Sequence, residues 1–316
     1  LDEFSTRLHI NTALNLGINI PAMYFIIFYS TKAMGSYKYY LLYSVVNTFV
    51  MDLHQSVVYG VYFFPLAFTT CCSGICRYFR LTEGARVNHI IMSVNTSVAG
   101  IGLISLAGYR YYSIRKELKW FESKFTLPRV FLIGLTYPTP MVIVLVIAIF
   151  APSQTKASDF INTEYSEFSS FVKLGICSSF RDQRIRYFYT GITIVQMGLV
   201  QSVGFILVFK TTNIFKSIKQ SFSTTIYAAH KQFLLSMWLQ FLISMCALIL
   251  PLSVVMSLVV SEVLVHTMTL RAPLNGLTII LMIKPYRDAL KKLIMFKPST
   301  PPIQVIQATN IDSGLL

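Results

Sequence analysis

Seven separate runs of mostly apolar residues, each about as long as a bilayer is thick, constrain this chain more than any other feature. A helix that crosses the hydrocarbon layer needs about 20 such residues, because the layer is about 30 Å thick and each residue rises about 1.5 Å. The windows that qualify are 8–31, 39–64, 87–109, 130–151, 187–209, 233–260 and 263–283. The first carries IPAMYFIIFY, the fourth MVIVLVIAIF, and the last is interrupted only by His266 and Arg271. Composition agrees, since 54% of the 316 residues are hydrophobic and 13% charged, about half the charged share of a soluble domain. The expected fold class is an all-α membrane protein, a seven-transmembrane helix bundle with a short interfacial helix after span seven.

Charge orients the bundle. The net charge of +14 does not form the basic stripe on a soluble face that a nucleic-acid binder needs; the basic residues sit between the apolar runs. Lys32, Lys38, the cluster from Arg110 to Arg129, the cluster from Lys210 to Lys231 and the tail from Lys284 share one side of the topology. The other side holds most of the acids, among them Asp2, Glu3, Glu83, Asp159 and Glu262. Lys and Arg accumulate on the cytoplasmic side. The chain is therefore expected in the plasma membrane as a multi-pass protein with its amino terminus outside, and no cleavable signal peptide is recognised ahead of span one. The 152–186 loop is expected as an extracellular lid. After span seven, YRDALKKLIMF at 286–296 places Leu290, Leu293 and Ile294 on one helical face, as an interfacial helix would. The Pro-rich 298–316 segment is expected as a disordered cytoplasmic tail.

The five cysteines, Cys71, Cys72, Cys76, Cys177 and Cys246, lack the spacing of a structural zinc site. Four of them lie in outer loops, on the oxidising side, where a single disulfide is expected. His9, His54, His89, His230 and His266 form no HExxH-like set and no nucleophile with its base. No enzymatic activity, metal or cofactor is expected. A transporter or channel is the alternative to a receptor, although such pathways normally show several intramembrane charges, broken helices or internal repeats. Here the clear intramembrane charges are Asp52 and Arg271, and no repeat is visible.

Several short patterns occur in order along this topology: Lys38 to Asp52 leading through span two, Arg110-Tyr111 closing span three, and Pro152-x-Gln154 after span four. HKQFLLSMWLQ opens span six, followed by Pro251, and Lys284-Pro285-Tyr286-Arg287 follows span seven. On these patterns, across nearly all seven spans, the chain resembles nematode serpentine chemoreceptors of the G-protein-coupled receptor class, most like the class H (Srh) group and its Str relatives. The resemblance implies a chemosensory receptor in a sensory neuron's ciliary membrane, with a small-molecule ligand outside and a heterotrimeric G protein inside. It implies that Arg110 and Tyr111 dock a G-protein helix once span six moves outward, with Lys231 and Arg287 at the same surface. Interfacial anchoring is the alternative for Arg110 and Tyr111, and contact with lipid headgroups for Arg287. Receptors of this kind also suggest a bridge from Cys177 to Cys76, or to Cys71 or Cys72. One departure stands out: the acidic residue usual shortly before Arg-Tyr is absent from Ala107-Gly108-Tyr109-Arg110-Tyr111, so an ion pair restraining Arg110 in its own helix is lacking.

Counting residues from the span ends puts Asp52 about 9 Å and Arg271 about 13 Å below the outer boundary. The two levels agree within a turn, and both charges are costly there, so an ion pair or a shared water cluster is expected between them. The alternative leaves them apart, with Arg271 reaching outward. Asp52 and Arg271, with His89 and His266 nearer the mouth, are the candidate ligand pocket. The sequon Asn95-Thr96-Ser97 falls inside span three and is read as chance or as polar contacts between helices. The expected function is ligand binding in the outer half of the bundle and activation of a G protein; a non-signalling scaffold is a third possibility.

Overall fold

The structure, a computed structural model, describes residues 2–31, 34–64, 69–79, 82–115, 117–124, 126–150, 176–179, 183–217, 224–255 and 269–294. His266, most of the 152–186 loop and the 298–316 tail lie outside them. The chain is mostly helical. Its helices are α1 (Asp2–Tyr29), α2 (Tyr37–Leu53), α3 (Thr82–Ile114), the short α4 (Lys119–Glu122), α5 (Thr126–Thr136) and α6 (Thr139–Phe150). The later ones are α7 (Gln183–Ser217), α8 (Thr224–Val255), α9 (Arg271–Met282) and α10 (Lys284–Ile294). Among the described residues, Leu8–Tyr29, Val87–Ile114, Thr126–Ile147 and Tyr187–Ser217 are long and apolar enough to cross a membrane. Many of their large apolar side chains face outward, such as Phe28, Leu132, Ile147 and Val195, which water would penalise and lipid does not.

Helix α3 is central and packs on α2, α5, α6 and α7, while α1 and α9 pack together and α8 closes against α7 and α9. The largest buried cluster lies toward the Arg110 end of α3. It unites Phe25 and Ile26 of α1, Tyr37, Tyr40 and Leu41 of α2, Leu106 and Tyr109 of α3, and Tyr286 of α10. Close approach of α1 and α9 depends on Gly276, where a Cβ would meet the side chains of Asn19 and Ile18.

Three details depart from the sequence expectation. The region expected as one helix from Val130 to Ala151 divides at Tyr137-Pro138 into α5 and α6, because Pro138 and Pro140 bring no N–H to the helical ladder. The exposed main chain there is tied to α7: Gln196 Nε2 donates to the Tyr137 carbonyl (2.9 Å), and the Tyr137 hydroxyl donates to the Gln196 carbonyl (2.8 Å).

The helix expected to reach Phe64 ends earlier. After α2 the chain widens into a π-helical turn, His54–Tyr59, and stops at Gly60, whose φ of 52° is left-handed and suits glycine. A Cβ at Gly60 would also strike the main chain of Gly74, whose N–H donates to the Tyr59 carbonyl at 3.1 Å.

Beyond Gly60 the expectation of an all-α chain is corrected by a small sheet. Strands β1 (Val61–Phe64), β2 (Thr69–Cys72) and β3 (Ile176–Ser179) pair antiparallel in the order β1-β2-β3. Their sequences VYFF, TTCC and ICSS are rich in β-branched and aromatic residues, and they lie between helices, where main-chain groups need partners from one another. The last helix, expected over 286–296, runs from Lys284 to Ile294. It buries Tyr286 and Ala289 and leaves Leu293 and Ile294 outward.

Candidate functional site

Toward the sheet end of the bundle, a cavity of about 110 Å³ opens between α3, α6 and α7. From α3 come Met92, Ser93, Thr96, Ser97 and Gly100. Gly100 makes room by lacking a side chain, since a Cβ there would lie 3.1 Å from Val200 Cγ1. Helix α7 supplies Tyr189, Thr193, Gln196, Met197, Val200 and Gln201; Tyr137 and Met141 line the cavity from the α5–α6 junction. Arg271, the first residue of α9, completes the wall. Ser93, Thr96 and Thr193 donate their hydroxyl hydrogens to carbonyls one turn back in their own helices, at 2.9, 2.8 and 2.8 Å. Polar side chains thus enter an otherwise apolar helix with their hydrogens already used.

Arg271 is only 3% exposed and Asp52 only 1%, so how these charges are satisfied decides what the site can do. Each feels the other's charge, but the expected ion pair is not formed. Asp52 Oδ2 accepts the main-chain N–H of Ala272 at 3.2 Å, holding the first turn of α9 as a carboxylate at a helix N-terminus does. Arg271 turns to α8 and donates from Nε to Ser244 Oγ at 3.2 Å. Among the described residues, Asp52 Oδ1 and Arg271 Nη1 have no hydrogen-bond partner. His89 stands at the edge of the cavity, buried, with Nε2 2.5 Å from the hydroxyl of Tyr189.

At the opposite end of α3, Arg110 is buried without an acidic partner among the described residues. Its guanidinium carbon lies 3.5 Å from the ring centroid of Tyr37 on α2 and 4.0 Å from that of Phe233 on α8. Among the described residues Nε and Nη2 find no hydrogen-bond acceptor; the ring faces hold the charge instead. Where the usual acid is missing, the chain has an aromatic clasp that joins three helices. His230, one turn before Phe233 on α8, is held below the ordinary imidazole range by burial, with the Arg110 charge adding to the effect.

Tyr111 is half-buried and faces α7 beside Phe205 and Phe209, while its hydroxyl accepts from Arg115 Nη1 at 3.0 Å. Lys231 is exposed on α8 and Arg287 half-buried on α10. Next to Arg287, Tyr286 is fully buried; its hydroxyl shares a 2.7 Å hydrogen bond with Ser30 Oγ, and burial pushes the phenol up to about 12.

Of the outer cysteines, the preferred partner for Cys177 is taken. Cys76 is bonded to Cys72, four residues back, because the 3₁₀ turn Ile75–Phe79 folds it against the end of β2, with the two Cα atoms 6.1 Å apart. The β2·β3 register sets Cys71 opposite Cys177 instead.

Residues 2–296 match the sequence profile of the family described as "Serpentine type 7TM GPCR chemoreceptor Srh". This chain belongs to the Srh family. The family is a receptor class rather than an enzymatic one, and with the apolar helices it makes this a multi-pass membrane protein. No curated protein matches the chain. The clasp of Tyr37 and Phe233 over Arg110 is what sequence reading overlooked. Phe233 lay inside the quoted HKQFLLSMWLQ pattern, but nothing in one sequence places it over Arg110. The cavity left a fainter trace: Ser93, Thr96 and Ser97 share one face of α3 by spacing.

Proposed function

We propose that this Srh-family chain is a chemosensory receptor that crosses the plasma membrane seven times with its amino terminus outside. It binds a small molecule in the α3–α6–α7 cavity and activates a heterotrimeric G protein at the Arg110 end. A nematode sensory cilium is the setting the family suggests. One observation carries the reading: α8 touches both ends. Its Ser244 holds Arg271 at the cavity wall, and its Phe233 covers Arg110, eleven residues and about 16 Å away along the same helix. A ligand that draws Arg271 toward itself shifts Ser244, moves α8 and uncovers Arg110, which with Tyr111, Lys231 and Arg287 then meets the G protein. Such a ligand acts because it binds the two arrangements with different affinity.

The test is nucleotide exchange on a purified heterotrimeric G protein, catalysed by the receptor in nanodiscs and screened against small volatile and water-soluble compounds. Ligand-dependent exchange that disappears in Arg110→Ala at equal protein level is expected. Solute flux through liposomes containing the protein, with no exchange for any compound, would replace the receptor with a transporter.

A further inference from the structure

We propose that the ligand class is a small monocarboxylate with a short apolar tail, held by the Arg271 guanidinium; the assignment builds on the cavity being the receptor's ligand site. Three observations point to an anion. Arg271 lines the cavity and is more than nine-tenths buried; Nε donates to Ser244, yet Nη1 has no hydrogen-bond acceptor among the described residues. The nearby carboxylate of Asp52 does not close that valence: Oδ2 accepts from the amide of Ala272, and Oδ1 makes no hydrogen bond to the guanidinium. The cavity hydroxyls of Ser93, Thr96 and Thr193 have given their hydrogens to their own helices, so they offer a ligand no donor that competes with the guanidinium.

A buried guanidinium with open donors is costly until an acceptor arrives, and a carboxylate matches its planar fork with charge-assisted hydrogen bonds. A cationic ligand would meet like charge, and a neutral alcohol would offer the guanidinium only a single, weaker acceptor. Size sets the tail. An apolar cavity of about 150 Å³ takes the six carbons of benzene, so 110 Å³ takes about four or five non-hydrogen atoms. A carboxyl group uses three of these. The remaining one or two carbons lie along Met92, Met141, Met197 and Val200, whose flexible thioethers and branched methyls suit a short alkyl chain. The structure therefore fits acids of the size of acetate and propionate.

Propionate, propionamide and n-propylammonium, three probes of similar length and three charges, can be titrated by saturation-transfer difference NMR against the whole chain in nanodiscs. Propionate is expected to bind saturably, propionamide about ten- to a hundredfold more weakly, in line with the loss of a charge-assisted hydrogen bond, and propylammonium not at all. Arg271→Gln should weaken propionate by a similar factor and leave propionamide unchanged. Val200→Phe fills the cavity without touching the guanidinium, and should block propionate even if Arg271→Gln fails to fold. Equal binding of propionate and propionamide, no binding of propionate, or propionate binding untouched in Val200→Phe each overturns the proposal. The receptor reading fails separately: propionate that binds through Arg271 without driving nucleotide exchange keeps the carboxylate site and removes the receptor. Exchange driven by other compounds, with propionate unbound, does the reverse.

Discussion

The guanidinium carbon of Arg110 lies 4.0 Å from the ring centroid of Phe233, so a residue on α3 is covered by one on α8. A cation–π contact of this kind contributes about 0.5–2 kcal/mol. Removing the ring should therefore raise the uncovered population about two- to thirtyfold. Phe233→Ala is expected to increase ligand-independent nucleotide exchange in that range, while Phe233→Tyr, which keeps an aromatic face, stays near the parent. Unchanged basal exchange in Phe233→Ala would mean that the clasp does not restrain the receptor.

Asp52 is expected to matter as an acceptor more than as a charge. Its partner is the amide of Ala272, and a buried N–H left unpaired costs about 1–3 kcal/mol. Asp52→Ala should lower the thermal unfolding midpoint in detergent by several degrees, and Asp52→Asn, which retains a side-chain oxygen, by clearly less. Exchanging the charges, Asp52→Arg with Arg271→Asp, should not rescue Asp52→Arg, because the amide of Ala272 still lacks its acceptor. Full rescue by the double exchange would point to an ion pair instead.

The outer cysteines are expected as two bridges, Cys72–Cys76 and Cys71–Cys177. The first is present in the structure. The second follows from the facing positions of Cys71 and Cys177 in paired strands, together with the oxidising side on which both are proposed to lie. Non-reducing peptide mapping of protein from the cell surface should recover both; a peptide joining Cys177 to Cys76 would contradict the assignment.

Acid should loosen the Arg110 end. His230 has its folded-state pKa lowered by burial and by Arg110, so it is neutral when folded, and the stability linked to that neutrality is complete above the ordinary value of about 6.5. It is lost as pH falls below that value, because the unfolded or opened chain then binds the proton more readily. Basal nucleotide exchange is expected to rise between pH 7 and pH 5.5, and His230→Gln should flatten that rise. A variant with the same pH profile as the parent would place the titration elsewhere.

Helix existence was legible because bilayer-length apolar runs stand out against charged loops, and the depth argument put Asp52 and Arg271 side by side. Their bonding was not legible. Residue counting gives a level along an axis, whereas the choice between Ala272 and Arg271 as the partner of Asp52 depends on rotation about it, which a run such as NTFVMDL does not encode. The same limit hid the Arg110 clasp, since Tyr37, Arg110 and Phe233 come from three helices and are far apart in sequence. Local chemistry was readable but misweighted in two places. Pro138 and Pro140 announced a break inside an apolar run, and Gly60 announced the end of a helix that hydropathy alone carries on to Phe64. The Cys76 assignment erred by judging nearness to the next helix, when the 3₁₀ turn had already folded Cys76 onto Cys72.

The sheet that joins β1, β2 and β3 is held through main-chain N–H and C=O groups in a fixed antiparallel register. Such a fastening does not depend on which side chains the strands carry, provided they tolerate an extended backbone. Apart from the cysteines, Ser73, Gly60 and Gly74, where side-chain bonds or main-chain contacts fix the residue, exchanges along the strands need not loosen the cover. Substitution can thus rewrite the surface over the cavity end while the helices beneath it stay in place.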